Sequence, residues 1–157
     1  MKNTSLCYIE NSGRYLMLHR VKKTVDENKD KWIGIGGKFE AGESPHDCAL
    51  REIREETGLS FSSSDLHYRG IVTFVSDEWG TEYMHLFTAS LSDDRLSDIY
   101  GFENDEGLLE WVDKELITSL PIWEGDKIFL RLLQADHPFF SLKLIYRGEA
   151  LSDSVLY

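Results

Sequence analysis

Between Ser44 and Gly58 the sequence SPHDCALREIREETG carries the start and stop signals of one helix and a conflict inside it. Ser44 is a good N-cap, Pro45 suits the first helical position, and Asp47 falls three residues after the cap. Gly58 supplies the left-handed residue on which helices end. The spacing predicts a helix over 44–58 with Ala49, Leu50 and Ile53 as its buried stripe. Glu52, Glu55 and Glu56 crowd the last turns and are expected to project from one side, opposite Ala49 and Ile53. Like charges three or four apart cost about 0.2–0.5 kcal/mol per pair. The helix dipole disfavours acids at this end by about 0.3–1 kcal/mol each. Local rules broken without local gain mark functional positions. Spacing alone leaves two explanations open. One is a bound divalent cation, whose preference for oxygen ligands suits carboxylates. The other is a solvated acidic face that Arg51 and Arg54 partly neutralise.

The rest of the chain reads as strands around two helices. SLCYIE (5–10) and RYLMLHR (14–20) flank the turn signal NSG and form a predicted hairpin. The segment 21–31 is polar and is expected to be a mobile loop. WIGIGG (32–37) is a short apolar segment ending in glycines. Segments 66–77 and 81–91 are rich in β-branched and aromatic residues and predict a long hairpin. An acidic loop at 93–107 leads to a strand at 108–112, a short helix at 113–120 and a helix at 123–136 with Ile128, Leu130, Leu132 and Leu133 as apolar positions. A last hairpin closes around Gly148. Mixed elements with several antiparallel strands predict an α/β (α+β) fold. The 157 residues suit one domain, 1–157.

Charge and cysteines exclude more than they select. A net charge of −11 argues against a nucleic-acid polymer as partner, since phosphate contacts need a basic surface. A single nucleotide stays possible, because a divalent metal can bridge phosphates to carboxylates. The N-terminus does not read as a signal peptide and no run of about 18 apolar residues predicts a membrane span, so a cytoplasmic location is expected. Cys7 and Cys48 read as two buried free thiols, with Cys48 facing inward and inert.

The spacing Gly37, five residues, Glu43, seven residues, Arg51-Glu52-Ile53, then Glu55-Glu56, Gly58 and Leu59 resembles the Nudix box at every specified position. The resemblance extends along nearly the whole chain. It implies an α/β/α sandwich with a mixed sheet, residues 37–59 forming a loop–helix–loop catalytic motif, and hydrolysis of a nucleoside diphosphate linked to another group. It further implies Mg²⁺, or Mn²⁺, held by Glu52 and Glu56 with the carbonyl of Gly36. Glu55 would bind metal or polarise water, and Arg51 would pair with Glu43 to aim the glutamates. Clustered carboxylates suit this chemistry, since a phosphoanhydride needs its charge neutralised and a water activated.

Segments beyond the box resemble the MutT-like, 8-oxo-dGTP diphosphatase branch of that family. ENDEGLLEWV is similar to the segment that supplies a further catalytic and metal-binding acid, here Glu106, and LPIWEGDKIF to the one that holds the purine. Trp123 would stack on the base, worth about 1–3 kcal/mol. Asp126 would accept the two donors of guanine's Watson–Crick edge. Arg20, Lys38, Ile33 and Phe74 complete the implied substrate contacts, although core packing suits Phe74 better than the base pocket does. Two departures stand out: Ile33 replaces the branch's usual asparagine, and Gly125-Asp126 replaces a pair of adjacent acids. Oxidised guanine, oxidised adenine and a broad purine preference therefore all stay open. So do another Nudix substrate, such as ADP-ribose or a dinucleotide polyphosphate, and a non-catalytic nucleotide sensor. Monomer and homodimer are both compatible with the sequence.

Overall fold

Strand β1 (Lys2–Asn11) is buried without interruption from Thr4 to Ile9. A strand covered on both faces does not alternate between apolar and polar residues, and β1 is the centre of such an arrangement. The computed structural model of the chain describes residues 1–157. Leu6 and Tyr8 point into one core, and Cys7 and Ile9 into a second core on the opposite face. β2 (Arg14–His19) divides in the same way, with Tyr15 and Met17 on one side and Leu16 and Leu18 on the other. Ser12 and Gly13, both at positive φ (50° and 75°), make the tight β1–β2 turn that hairpin twist favours.

The WIGIGG segment breaks into β3 (Trp32–Ile33), which pairs with β2, and β4 (Ile35–Lys38), which runs antiparallel to β1 with Leu6 opposite Gly36. β5 (His67–Ser76) and β6 (Gly80–Ser90) form the long hairpin, and β6 lies parallel to β1 with Leu6 opposite Leu86. β7 (Leu108–Asp113) covers the other side of β2. β8 (Phe140–Arg147) runs parallel to β5 and carries β9 (Ala150–Leu156) on its outer edge. The result is a mixed nine-stranded sheet. Helix α1 (Pro45–Thr57) packs Ala49 and Ile53 into the Cys7 face. Helix α2 (Glu124–Gln134) packs Phe129, Leu130 and Leu133 into the Leu6 face. The sheet thus lies between two helices, as the resemblance implies.

α1 is bounded as its signals predict. The Ser44 hydroxyl accepts from the Asp47 N–H, the Asp47 carboxylate accepts from the Ser44 N–H, and Gly58 closes the helix in the left-handed conformation at φ 81°. Its buried stripe differs from expectation. Leu50 is only partly buried, and Glu56 takes a place in the stripe at 9% exposure. The cause is helical geometry: Glu56 is seven residues, close to two full turns, from Ala49, so both fall on one face. The three glutamates therefore do not share a solvated side. The expected helix at 113–120 is also absent. β7 runs on to Asp113, and only a 3₁₀ turn at Ile117–Ser119 follows. β-branched Ile117 and Thr118, with Pro121 close behind, leave no room for a longer helix.

Ser44→Ala removes one half of the reciprocal cap and is expected to cost about 1 kcal/mol. For a chain of this size that lowers the melting temperature by about 2–4 °C. Thermal unfolding followed by circular dichroism measures it, and an unchanged midpoint would show that the cap is not what holds the start of α1.

Candidate active site

The β1–β4 pairing carries Gly36 and Gly37 to the flank of α1, and two glutamates one helical turn apart meet them. A Cβ on Gly37 would lie 2.5 Å from Glu52 Oε1, so the space beside that carboxylate exists only because residue 37 has no side chain. The Gly36 N–H donates to Glu56 Oε2 at 3.2 Å, while Glu56 Oε1 is buried with no hydrogen-bond partner. Burial pushes the Glu56 carboxyl well above the usual carboxylate range, and the charges of Glu106 and Glu52 push it further. Burial raises Glu52 as well, against the opposing pull of Arg51.

Arg51 is the organising cation. Its Nε and Nη2 donate to the two oxygens of Glu43 at 2.7 and 2.9 Å, a bidentate pair that holds the Glu43 carboxyl below its usual range. Its Nη2 also donates to the Lys38 carbonyl at 3.0 Å, and Nη1 reaches Glu52 Oε1 at 2.9 Å and Glu55 Oε2 at 3.3 Å. Arg51 thus relieves part of the crowding that the sequence poses. On the other side Arg20 Nη1 donates to Glu106 Oε2 at 2.7 Å and Arg20 Nε to Asp26 Oδ2 at 2.8 Å. No three acidic, histidine or cysteine side chains form a ready metal cage. Of the groups that could hold a divalent ion, Glu52, Glu55, Glu56 and Glu106 with the Gly36 carbonyl, these arginines hold Glu52, Glu55 and Glu106, and Glu56 has only the Gly36 N–H. The donor set is all oxygen, and the unpartnered Glu56 Oε1 lacks what an ion would give it, so these residues fit Mg²⁺ or Mn²⁺. Cys48 is buried and inward as expected; its Sγ–H donates to the Gly37 carbonyl at 3.3 Å and its pKa is pushed up to about 11 by burial.

One cleft of about 650 Å³ runs from this acidic end to the N-terminus of α2. Arg20, Ile33, Gly36, Lys38, Arg51, Glu52, Phe74, Glu106, Trp123 and Asp126 all line it. Of the residues singled out in the sequence, Glu55 and Glu56 do not. Glu55 is 55% exposed beside the cleft and Glu56 is buried. Phe74 packs on the core and stacks on Tyr146 (5.7 Å, 14°) at the cleft wall. Asp126 is buried, and burial with the nearby charge of Glu82 drives its carboxyl well above the usual range, offset only by Lys31. Gly125 has a steric reason: a Cβ there would lie 2.5 Å from Leu144 and 2.7 Å from the Tyr146 hydroxyl. An acid at position 125 would have to displace the Leu144 side chain and the Tyr146 hydroxyl.

The residues missed in the sequence are Lys2, Thr4, Glu82, Asn28 and Tyr146, all in the cleft wall. Thr4 Oγ1 donates to Glu82 Oε2 at 2.7 Å, and Lys2 bridges Glu82 and Glu27. Strand alternation is the signal that could have found most of them. Lys2 and Thr4 share a face with Leu6, Glu82 with Met84, and Tyr146 with Leu144. Asn28 had no such signal. The 21–31 segment has no helix or strand, as expected, but it is tied down at Asp26, Glu27 and Asn28.

The sequence matches the NUDIX domain over residues 2–133, and the chain belongs to the Nudix family. It is 31% identical over 133 residues to YvcI, an uncharacterised Nudix hydrolase of Bacillus subtilis, covering 80% of this chain and 75% of that one. It is 31% identical over 104 residues to the oxidized purine nucleoside triphosphate hydrolase of Danio rerio, covering 66% of this chain and 62% of that one. The MutT protein of Bacillus halodurans has the same fold, with a TM-score of 0.80, 24% identity and coverage of 99% and 97%. A C. elegans Ap4A hydrolase superposes with a TM-score of 0.63 at 15% identity, covering 87% of this chain and 98% of that one. The chain is therefore a Nudix hydrolase, of a family that acts on small nucleotide substrates and generally needs a divalent metal ion. No helix is long and apolar enough to cross a membrane.

Because the folded state raises the Glu56 pKa, its ionisation weakens the ion-free fold increasingly as pH climbs above the ordinary carboxylate range. Glu56→Gln should raise the ion-free melting temperature at pH 7, by about 2–4 °C per kcal/mol relieved, with the gain vanishing near pH 4. Added Mg²⁺ should stabilise the native chain and not the variant. Equal Mg²⁺ responses in calorimetry would remove Glu56 from the ion site.

Proposed function

We propose that the chain hydrolyses an oxidised purine nucleoside triphosphate, such as 8-oxo-dGTP, to the monophosphate and pyrophosphate with Mg²⁺. The observation that carries this reading is the continuity of the cleft: Glu52, Glu106 and Gly36 at one end, Trp123 and Asp126 at the other. Relatives named as oxidized purine nucleoside triphosphate hydrolases in Danio rerio and Mus musculus, and as an 8-oxo-dGTP diphosphatase in Haemophilus influenzae, support it.

Glu52, Glu56, Glu106 and the Gly36 carbonyl would hold the ion. When bound, Mg²⁺ supplies charge neutralisation for the polyphosphate and a lowered pKa for water. Glu55, the most exposed of the four acids on its side chain, takes the proton as water adds across the α–β anhydride. The bridging P–O bond breaks, and its electron pair leaves on pyrophosphate. Arg51 positions Glu52 and Glu55, and Arg20 positions Glu106. Trp123 receives the base on its ring face while Asp126 reads its edge. Ionised Asp126 offers two acceptors, which suits guanine-type bases. Neutral Asp126 offers a donor and an acceptor, which suits adenine-type bases.

Turnover of 8-oxo-dGTP, dGTP, dATP, 2-hydroxy-dATP and ADP-ribose, compared by kcat/KM, tests the substrate. The oxidised purine triphosphates should lead; an excess for ADP-ribose would overturn the reading. Glu55→Gln should lose at least about 100-fold in kcat, the usual worth of a general base, with the fold intact.

The raised pKa of Asp126 adds a pH test. As pH rises and Asp126 ionises, guanine-type kcat/KM should gain on adenine-type. Asp126→Asn, fixed as one donor and one acceptor, should flatten that ratio. A pH-independent ratio in the native chain would refute the role of Asp126.

A further inference from the structure

Trp123 stands just before α2, at the position where the chain enters the helix, and is only half-buried. A side chain there has no helical neighbours on its N-terminal side to fix its rotamer. Its indole is nevertheless gripped from three directions. Nε1–H donates to Asn28 Oδ1 at 2.9 Å. The Lys31 ammonium lies 4.5 Å from the ring centroid. Tyr146 meets it edge-on, with centroids 5.1 Å apart at 77°. Lys31 is itself anchored by Glu149 Oε1 at 3.0 Å, in the turn between β8 and β9. One residue on, the Trp32 N–H donates to the Pro121 carbonyl at 2.9 Å, tying the two segments together.

Trp123 lines the cleft and Lys31 does not. The ammonium covers a face of the ring from a residue that is not part of the cleft lining. We propose that Asn28 and Lys31, with Glu149 behind it, are positioning residues for base recognition that hold Trp123 as a fixed stacking plate. The proposal rests on reading this end of the cleft as a base pocket. Base–aromatic stacking is worth about 1–3 kcal/mol, and that worth is largest when the ring is ordered before the ligand arrives. Asn28 can serve as a fixed acceptor because the residues before it are pinned. Asp26 holds Arg20 at the phosphate end, and Glu27 holds Lys2 at the far wall. Three consecutive side chains thus reach three different walls of one cleft. The Asn28 side chain bonds Trp123, while its backbone N–H donates to Asp26 Oδ1 at 3.0 Å, a bond that a side-chain substitution does not remove, so the effect of substitution should be confined to the base.

The test compares the native chain with Asn28→Asp, which keeps an oxygen acceptor, and Asn28→Leu, which keeps the size and loses it. Lys31 also opposes the upward shift at Asp126 with its charge, so Asn28 is the cleaner probe. Three quantities are read: solvent exchange of the Trp123 indole N–H by ¹⁵N NMR without ligand, equilibrium binding of 8-oxo-dGMP and of deoxyribose 5-phosphate, and kcat and KM for 8-oxo-dGTP. Asn28→Leu should expose the indole N–H to exchange, weaken 8-oxo-dGMP by about fivefold to tenfold, and raise KM to match with kcat within about twofold. Asn28→Asp should restore all three, and deoxyribose 5-phosphate should bind all three proteins alike. The proposal is overturned if Asn28→Leu keeps both indole protection and affinity, if Asn28→Asp falls as far as Asn28→Leu, or if deoxyribose 5-phosphate weakens in parallel. Failure of the base-pocket reading shows separately, in the native chain alone: 8-oxo-dGMP would then bind no tighter than deoxyribose 5-phosphate, and the recognition role would fall with it.

Discussion

The guanidinium of Arg51 is the constraint on which the acidic end of the cleft depends. Its fork to Glu43 ties the loop before α1 to the helix, and its remaining nitrogen spans Glu52 and Glu55. Lysine could not do this, because a point charge lacks the planar fork that engages both oxygens of one carboxylate and keeps a third donor for others. Without Arg51, Glu52 would face Glu55 and Glu106 with burial and repulsion acting in the same direction. The arrangement also explains how the chain folds before any ion arrives. Glu52, Glu55 and Glu106 are provisionally neutralised by arginines, and Glu56 Oε1 is the one oxygen of these acids that is buried without a partner.

The double burial of β1 sets the reach of the site. Because both faces of the sheet are covered, one cleft can draw on α1 from one side and α2 from the other, passing the short strand β4 where two glycines thin the wall. A sheet with one solvated face could not place the end of α2 and the flank of α1 along the same ligand. The parallel pairing of β1 with β6 then brings Glu82 level with Lys2, so the far wall is closed by residues eighty positions apart in sequence.

What was legible in the sequence divides along the same physical line. Ser44, Pro45 and Gly58 signal α1 because capping is local, and the box spacing marks Glu52, Glu55 and Glu56 because a helix fixes which residues approach one another. The burial of Glu56 was legible too, through its two-turn separation from Ala49, but the crowding of charge drew attention to the opposite face. Gly125 reads as a lost acid in one dimension and as room for Tyr146 in three. Glu82, Lys2 and Asn28 depend on pairings between distant segments, which no local pattern records. The short helix expected at 113–120 failed because β7 takes its first residue and the β-branched Ile117 and Thr118, with Pro121 behind them, allow only a 3₁₀ turn in what is left.

Charge in the cleft bears on how a polyanion enters it. Five cationic and seven acidic residues line the walls of a chain whose net charge is −11. Four of those cations are already engaged: Lys2 with Glu27 and Glu82, Arg20 with Asp26 and Glu106, Lys23 with Glu106, and Arg51 with Glu43 and Glu52. Lys38 is the one lining cation without an acidic partner. A polyphosphate arriving alone would meet more repulsion than attraction, unlike a ligand steered into a basic groove. The sharing of Glu106 by Arg20 and Lys23 makes the balance conditional, since whatever engages Glu106 frees Lys23 and leaves Arg20 paired with Asp26 alone. The need for a divalent ion that is general in the family therefore fits how this chain distributes its charge as well as the reaction such an ion assists.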